Sequence, residues 1–172
     1  MIKQISNGVN KNIIGLALAI LALGGIIWVA RPNSQNSAAL SVKSNGTLSV
    51  EEANNYDFGT ISMAAGKVSH TFKIKNTGNE AVTINSMYTS CMCTTATLKI
   101  GGRQKGPYGM PGHGFIPKIN ETLNSGEEAL VEVVFDPAAH GPAGVGPIQR
   151  AIAIENNAGE PVELLFAAIV TP

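Results

Sequence analysis

The sequence predicts an all-β domain, an antiparallel β-sandwich of about seven strands, preceded by one N-terminal transmembrane helix. Three observations carry that expectation. Val68, His70, Phe72 and Ile74 alternate with Ser69, Thr71, Lys73 and Lys75, the period of two that a half-buried strand requires. Turn-forming clusters such as Asn76-Thr77-Gly78-Asn79-Glu80 and Asn124-Ser125-Gly126-Glu127 separate short apolar runs, as in sandwiches with tight connections. Beyond Ala30 no helical period is sustained, whereas the stretch before it is apolar on every side.

That apolar stretch is Ile13 to Ala30, IIGLALAILALGGIIWVA, eighteen residues without a charge. A helix needs about twenty to cross the hydrocarbon core, and Trp28 stands near one end, where interfacial Trp is common. A cleaved signal has a shorter apolar core and small residues at the cut. Here Pro32 follows Ala30-Arg31 directly and no Leu-x-x-Cys pattern is present, so an uncleaved signal anchor is expected. Lys3 and Lys11 precede it with no acidic residue nearby, which holds residues 1–12 in the cytoplasm. The expected setting is the cell membrane, single-pass, with the domain extracytoplasmic.

Residues 31–46, RPNSQNSAALSVKSNG, are rich in Ser and Asn and read as a flexible linker. The sandwich domain is expected over 47–172. Leu48 to Glu51, Tyr56 to Ile61, Val68 to Asn76 and Ala81 to Tyr88 are its first strands; Ala129 to Phe135, Arg150 to Glu155 and Val162 to Val170 follow. Between the two groups lies LKIGGRQKGPYGMPGHGFIPK, read as a Gly/Pro-rich insertion at 98–118. Loops of that length inside a domain are uncommon and often functional.

The chemistry is expected at Ser90-Cys91-Met92-Cys93-Thr94. Cys91 and Cys93 are the only cysteines in the chain, too close together to staple distant segments. On an extended backbone both face one side with Met92 opposite. A redox dithiol, a metal clamp and a direct disulfide all remain open for them. The last needs Cα atoms about 4.4 to 6.8 Å apart, which a bend would supply.

Three stretches together resemble a known family: Tyr56-Asp57-Phe58-Gly59-Thr60-Ile61, His70 to Gly78 (HTFKIKNTG), and Ser90-Cys91-Met92-Cys93-Thr94-Thr95, with Phe135-Asp136-Pro137 in keeping. They are similar to domain of unknown function family 1573, over most of Tyr56 to Asn156. The resemblance implies an immunoglobulin-like sandwich akin to major sperm protein and Hydin-type domains, in an extracytoplasmic setting. It implies no function. Met92 stands where the family commonly has Gly, and the 98–118 segment is longer than usual.

Both Gly/Pro stretches carry a histidine, His113 in the first and His140 in the second. Gathered at the Cys end of the sandwich, Cys91, Cys93, Met110, His113 and His140 form a soft-donor set, with Met92 beside them. Thiolate and thioether suit Cu(I); two Cys and two His alone would suit zinc. The expected metal is therefore copper, with zinc as the second option. His70 and Met87 are expected to be boundary or core residues.

The composition excludes other classes. After Ala30 the chain carries ten basic and twelve acidic groups, a net charge of −2, without the basic face of a nucleic-acid binder. There is no Gly-x4-Gly-Lys-Ser/Thr loop, so no nucleotide site is expected. No catalytic constellation is recognisable, and the protein is not expected to be an enzyme. The expected partners are the lipid bilayer, through the N-terminal helix, and an envelope protein. The alternatives to metal binding are a metal-free interaction module of the envelope or a thiol redox protein.

Overall fold

A computed structural model describes residues 44–112 and 116–172. Ten strands follow one another: β1 Leu48–Val50, β2 Asn55–Ser62, β3 Val68–Asn76, β4 Val82–Thr89, β5 Thr94–Ile100, β6 Arg103–Tyr108, β7 Glu121–Leu123, β8 Glu128–Phe135, β9 Gly146–Asn156 and β10 Val162–Thr171. They form two five-stranded sheets, ordered β1-β3-β8-β5-β6 and β2-β10-β9-β4-β7. All pairings are antiparallel except β2 with β10, which is parallel.

Alternation builds the core. Phe72 and Ile74 of β3, Val131, Val133 and Phe135 of β8, and Leu98 and Ile100 of β5 are buried from the first sheet. Ile84 and Met87 of β4, Ile152 and Ile154 of β9, and Leu164 and Phe166 of β10 meet them from the second. Burying such side chains contributes roughly 1.5–3 kcal/mol each before entropy is set against it. Met87 is core, as expected. His70 is a boundary residue, stacked on Tyr56 with ring centroids 3.6 Å apart and edge-on to Phe72 at 4.7 Å.

The strand count exceeds the expected seven by β5, β6 and β7, the first two of which take in part of the supposed excursion. Thr94, Ala96, Leu98 and Ile100 are all buried in β5, which lies between β8 and β6. Gly101 and Gly102, both at positive φ (51° and 81°), close a two-residue hairpin in which Ile100 pairs with Arg103. Only glycine takes two such positions in succession without strain, which is why this dipeptide makes a hairpin turn. The first part of the insertion at 98–118 is thus one arm and turn of the β5–β6 hairpin rather than loop.

At the start of the domain, Ser44 is buried; its N–H donates to the Asn157 carbonyl at 2.9 Å and its hydroxyl to Ala81 O at 2.7 Å. Residues 44–46, assigned above to the linker, therefore belong to the packed domain. The expected anchor at 13–30 and His113 lie outside the described residues. Among the described residues no helix is long and apolar enough to cross a membrane.

Candidate functional site

Strand β4 ends at Thr89 and β5 begins at Thr94 in the opposite sheet, so the Cys motif is the turn that carries the chain between the sheets. Thr94 N–H donates to Cys91 O at 3.1 Å and closes the turn. The buried Thr89 hydroxyl shares its hydrogen between Cys91 O (2.9 Å) and Thr94 O (3.1 Å). That bend brings the Cα atoms of Cys91 and Cys93 to 5.3 Å, and the two sulfurs are bonded as a disulfide. The direct bridge, one of the three expectations, is the state described. Cys91 and Cys93 are 8% and 3% exposed, whereas Met92 between them is 67% exposed.

Strand register delivers the third donor. Thr94 pairs with Phe135, so the residues just outside that pair also meet, and Asp136 N–H donates to Cys93 O at 2.8 Å. The segment after β8 therefore starts beside the Cys turn. It curls tightly, with Asp136 Oδ1 accepting from Ala138 N–H and Ala138 O from Gly141 N–H, and His140 stands at the head of the short 3-10 turn Gly141–Gly144. Its Nε2 lies 3.1 Å from Cys91 Sγ. A disulfide sulfur carries no hydrogen, so this contact is a hydrogen bond in the tautomer protonated at Nε2, which then donates to Sγ. By the same reasoning the Thr94 hydroxyl donates to Cys93 Sγ at 3.6 Å.

The donor atoms of Cys91, Cys93 and His140 all lie within 4.8 Å of one another. Of the five residues expected to converge, the fold brings these three together. Met110, 46% exposed, instead lines a separate hollow with Met87, Tyr88, Pro107 and Tyr108. Its neighbour Gly109 is nonetheless fixed near the turn, accepting from Thr89 N–H at 3.2 Å. Two residues escaped sequence reasoning: Lys67 and Asp136, 3.9 Å apart, line a hollow with Cys93 and Met92. The Asp-Pro step closing β8 was visible, but only the pairing of Phe135 with Thr94 puts it at the cysteines.

With the geometry in place, the chain can be set beside known proteins. Residues 48–107 match the family described as "Protein of unknown function (DUF1573)". Over these residues the chain is similar to DUF1573. The match takes in β1 to β5, most of β6 and both cysteines, and stops before Met110, His113 and His140. The segment similar to DUF1573 thus supplies the sulfur donors, while the imidazole of His140 comes from beyond it. No curated protein matches the chain.

Among solved structures, a protein of unknown function from Porphyromonas gingivalis is similar over 78% of this chain and 51% of its own, at 17% identity and a TM-score of 0.54. The chain therefore spans about half the length of that protein, and the likeness shows a shared fold. Looser likenesses are the ASH/PapD-like domain 7 of human CEP192 (12% identity, 75% of this chain, 89% of that chain, TM-score 0.45) and the VesB protease of Vibrio cholerae (15%, 76%, 33%, 0.48). The two five-stranded sheets make an all-β sandwich, and the segment similar to DUF1573 lies within it.

Proposed function

We propose that this protein is a membrane-anchored, extracytoplasmic β-sandwich that binds a soft transition-metal ion, Cu(I), once the Cys91–Cys93 bond is reduced. The observation that supports it is the convergence of two sulfurs and an imidazole nitrogen within 4.8 Å. Two ligands of one ion stand at most about 4.6 Å apart, given metal bonds of roughly 2.0 to 2.3 Å. Reduction lets the sulfurs swing apart by side-chain rotation while the turn, held by backbone and threonine hydrogen bonds, keeps its shape. Two thiolates and one imidazole are a soft set suited to three-coordinate Cu(I); zinc prefers a fourth ligand. Met110 belongs to the other hollow and is no part of the proposed ligand set.

Storage or delivery of the ion, rather than catalysis, is the role this donor set suits, with the bilayer as anchor and an envelope protein as recipient. The eighteen uncharged residues of 13–30 and the preceding Lys3 and Lys11 support the anchor and its sidedness.

The test uses the full chain in detergent, reduced and kept anaerobic, loaded with Cu(I), desalted and analysed for metal. Stoichiometric copper is expected in the wild type and none in the Cys91→Ser/Cys93→Ser double variant. Competition with a Cu(I) chelator is expected to show at least roughly tenfold weaker binding in His140→Ala, the scale on which even outer partners of metal ligands act. Equal copper retention by wild type and double variant would remove the site.

A further inference from the structure

The two sulfurs of the disulfide stand in different surroundings. Cys91 Sγ receives the hydrogen bond from His140 Nε2 at 3.1 Å and also a backbone N–H, from Cys93, at 3.4 Å. Among the described residues, Cys93 Sγ receives the Thr94 hydroxyl alone, at 3.6 Å. Cys93, 3% exposed against 8% for Cys91, borders a hollow of about 110 Å³ with Lys67, Met92, Thr95, Asp136 and Ala139 around it. Cys91 is therefore the sulfur better provided with hydrogen-bond donors, and Cys93 the one that borders the hollow.

From this asymmetry we infer that the domain undergoes directional thiol–disulfide exchange with a dithiol partner: the incoming thiolate attacks Cys93 Sγ, and Cys91 leaves. Exchange proceeds through a mixed disulfide, with one sulfur attacked and the other departing as thiolate, and its rate depends on access to the first and stabilisation of the second. A thiolate of the partner forms a new S–S bond to Cys93 as the Cys91–Cys93 bond breaks. The electron pair of the broken bond goes to Cys91 Sγ, which keeps the two N–H donors already aimed at it. The second thiol of the partner, deprotonated, attacks its own sulfur in the mixed disulfide, and Cys93 leaves as a second thiolate. Two electrons pass from the partner, which ends as a disulfide, to the Cys pair; the two protons released by the partner's thiols are taken up by Cys91 and Cys93 or by solvent. Protein dithiols of this reactivity occur as Cys pairs in oxidoreductases.

The inference rests on the proposed function to the extent that the same step opens the metal site, but its test needs no metal. The oxidised full chain in detergent, with a chelator present, is exposed briefly to glutathione, quenched with acid and alkylated. Fragment-ion mass spectrometry across Met92 then locates each adduct. Glutathione is expected on Cys93 and the alkyl group on Cys91, by at least tenfold over the reverse. Removing the His140 donor in His140→Ala is expected to slow reduction by a dithiol several-fold while leaving Cys93 the attacked sulfur. Glutathione on Cys91, or on both sulfurs equally, overturns the direction of exchange; an unchanged rate in His140→Ala overturns the role of the imidazole. Neither result bears on copper binding by the chemically reduced chain, so failure of one reading is distinguishable from failure of the other.

Discussion

Asn76 ties together several segments at one end of the domain. It is fully buried, and its amide donates to Glu80 O at 2.7 Å and Leu123 O at 3.0 Å while its oxygen accepts from Gly78 N–H at 3.1 Å and Thr47 N–H at 3.4 Å. Those four bonds use the full capacity of a carboxamide. They tie the start of β1, the β3–β4 turn and the end of β7 to one side chain. Asn76→Ala leaves several backbone groups without partners, each worth roughly 1–3 kcal/mol when buried. A loss of at least about 2 kcal/mol in urea denaturation of the full chain is expected.

His70 gives the fold a pH dependence. Burial holds its imidazole below the ordinary value, against a weaker upward pull from Glu52. The unfolded chain then binds the proton more tightly, so this contribution is fully present above the unfolded value near 6.5 and is lost as the pH falls through the folded one. Melting temperatures measured on either side of that window should fall more steeply toward acid in wild type than in His70→Gln. The sequence showed this histidine to be a boundary residue by its place in the β3 alternation. It showed the cysteines by their spacing, but the meeting of His140 with Cys91 depends on a pairing between residues about forty apart and has no local signature.

At the scale of elements, the Cys turn is held by the strands it joins rather than by its covalent bond. A loop closed between residues two apart restricts the unfolded chain little, on the order of 1.5 kcal/mol by the loop-entropy relation. Reducing Cys91–Cys93 should therefore lower stability by no more than about that amount, measured by urea denaturation with and without reductant. A much larger loss would mark the bond as a structural staple. The strands on either side show where pattern reading succeeds. β3, β4, β8 and β10 were legible because alternation and flanking turns agree. β5 was equally periodic, with Thr94, Ala96, Leu98 and Ile100 in step, but the glycines and prolines downstream drew the whole stretch into one supposed loop. Gly101-Gly102 was the signal for a hairpin, and β7, three residues long, left none.

At the scale of the molecule, Phe166 joins the two layers. From β10 its ring meets Phe58 of β2 at 5.4 Å and Phe135 of β8, in the opposite sheet, at 5.3 Å. Phe166→Ala should cost about 3–5 kcal/mol, with a matching fall in the urea midpoint. The surface contributes much less: Lys73 and Lys75 pair with Glu51 and Glu128 on the exposed face of the first sheet. Such pairs lower the carboxylates and raise the amines yet are screened by salt and solvent. The sandwich as a class could be read from strand number and turn spacing, but the order of strands could not, since alternation says which side of a strand is buried and not which strand lies next to it.

The parallel seam between β2 and β10 has a consequence for biogenesis. Leu165 aligns with Asn55 and Thr171 with Ser62, so an early segment waits for a partner translated more than a hundred residues later. Until that partner emerges, β2 offers unsatisfied amides and carbonyls and the aromatic side chains of Tyr56 and Phe58 to whatever is near, a hazard for any exposed strand. Long-range closure of this kind is slow. A chain delivered N-terminus first would have to keep its second sheet open until nearly all of it had arrived.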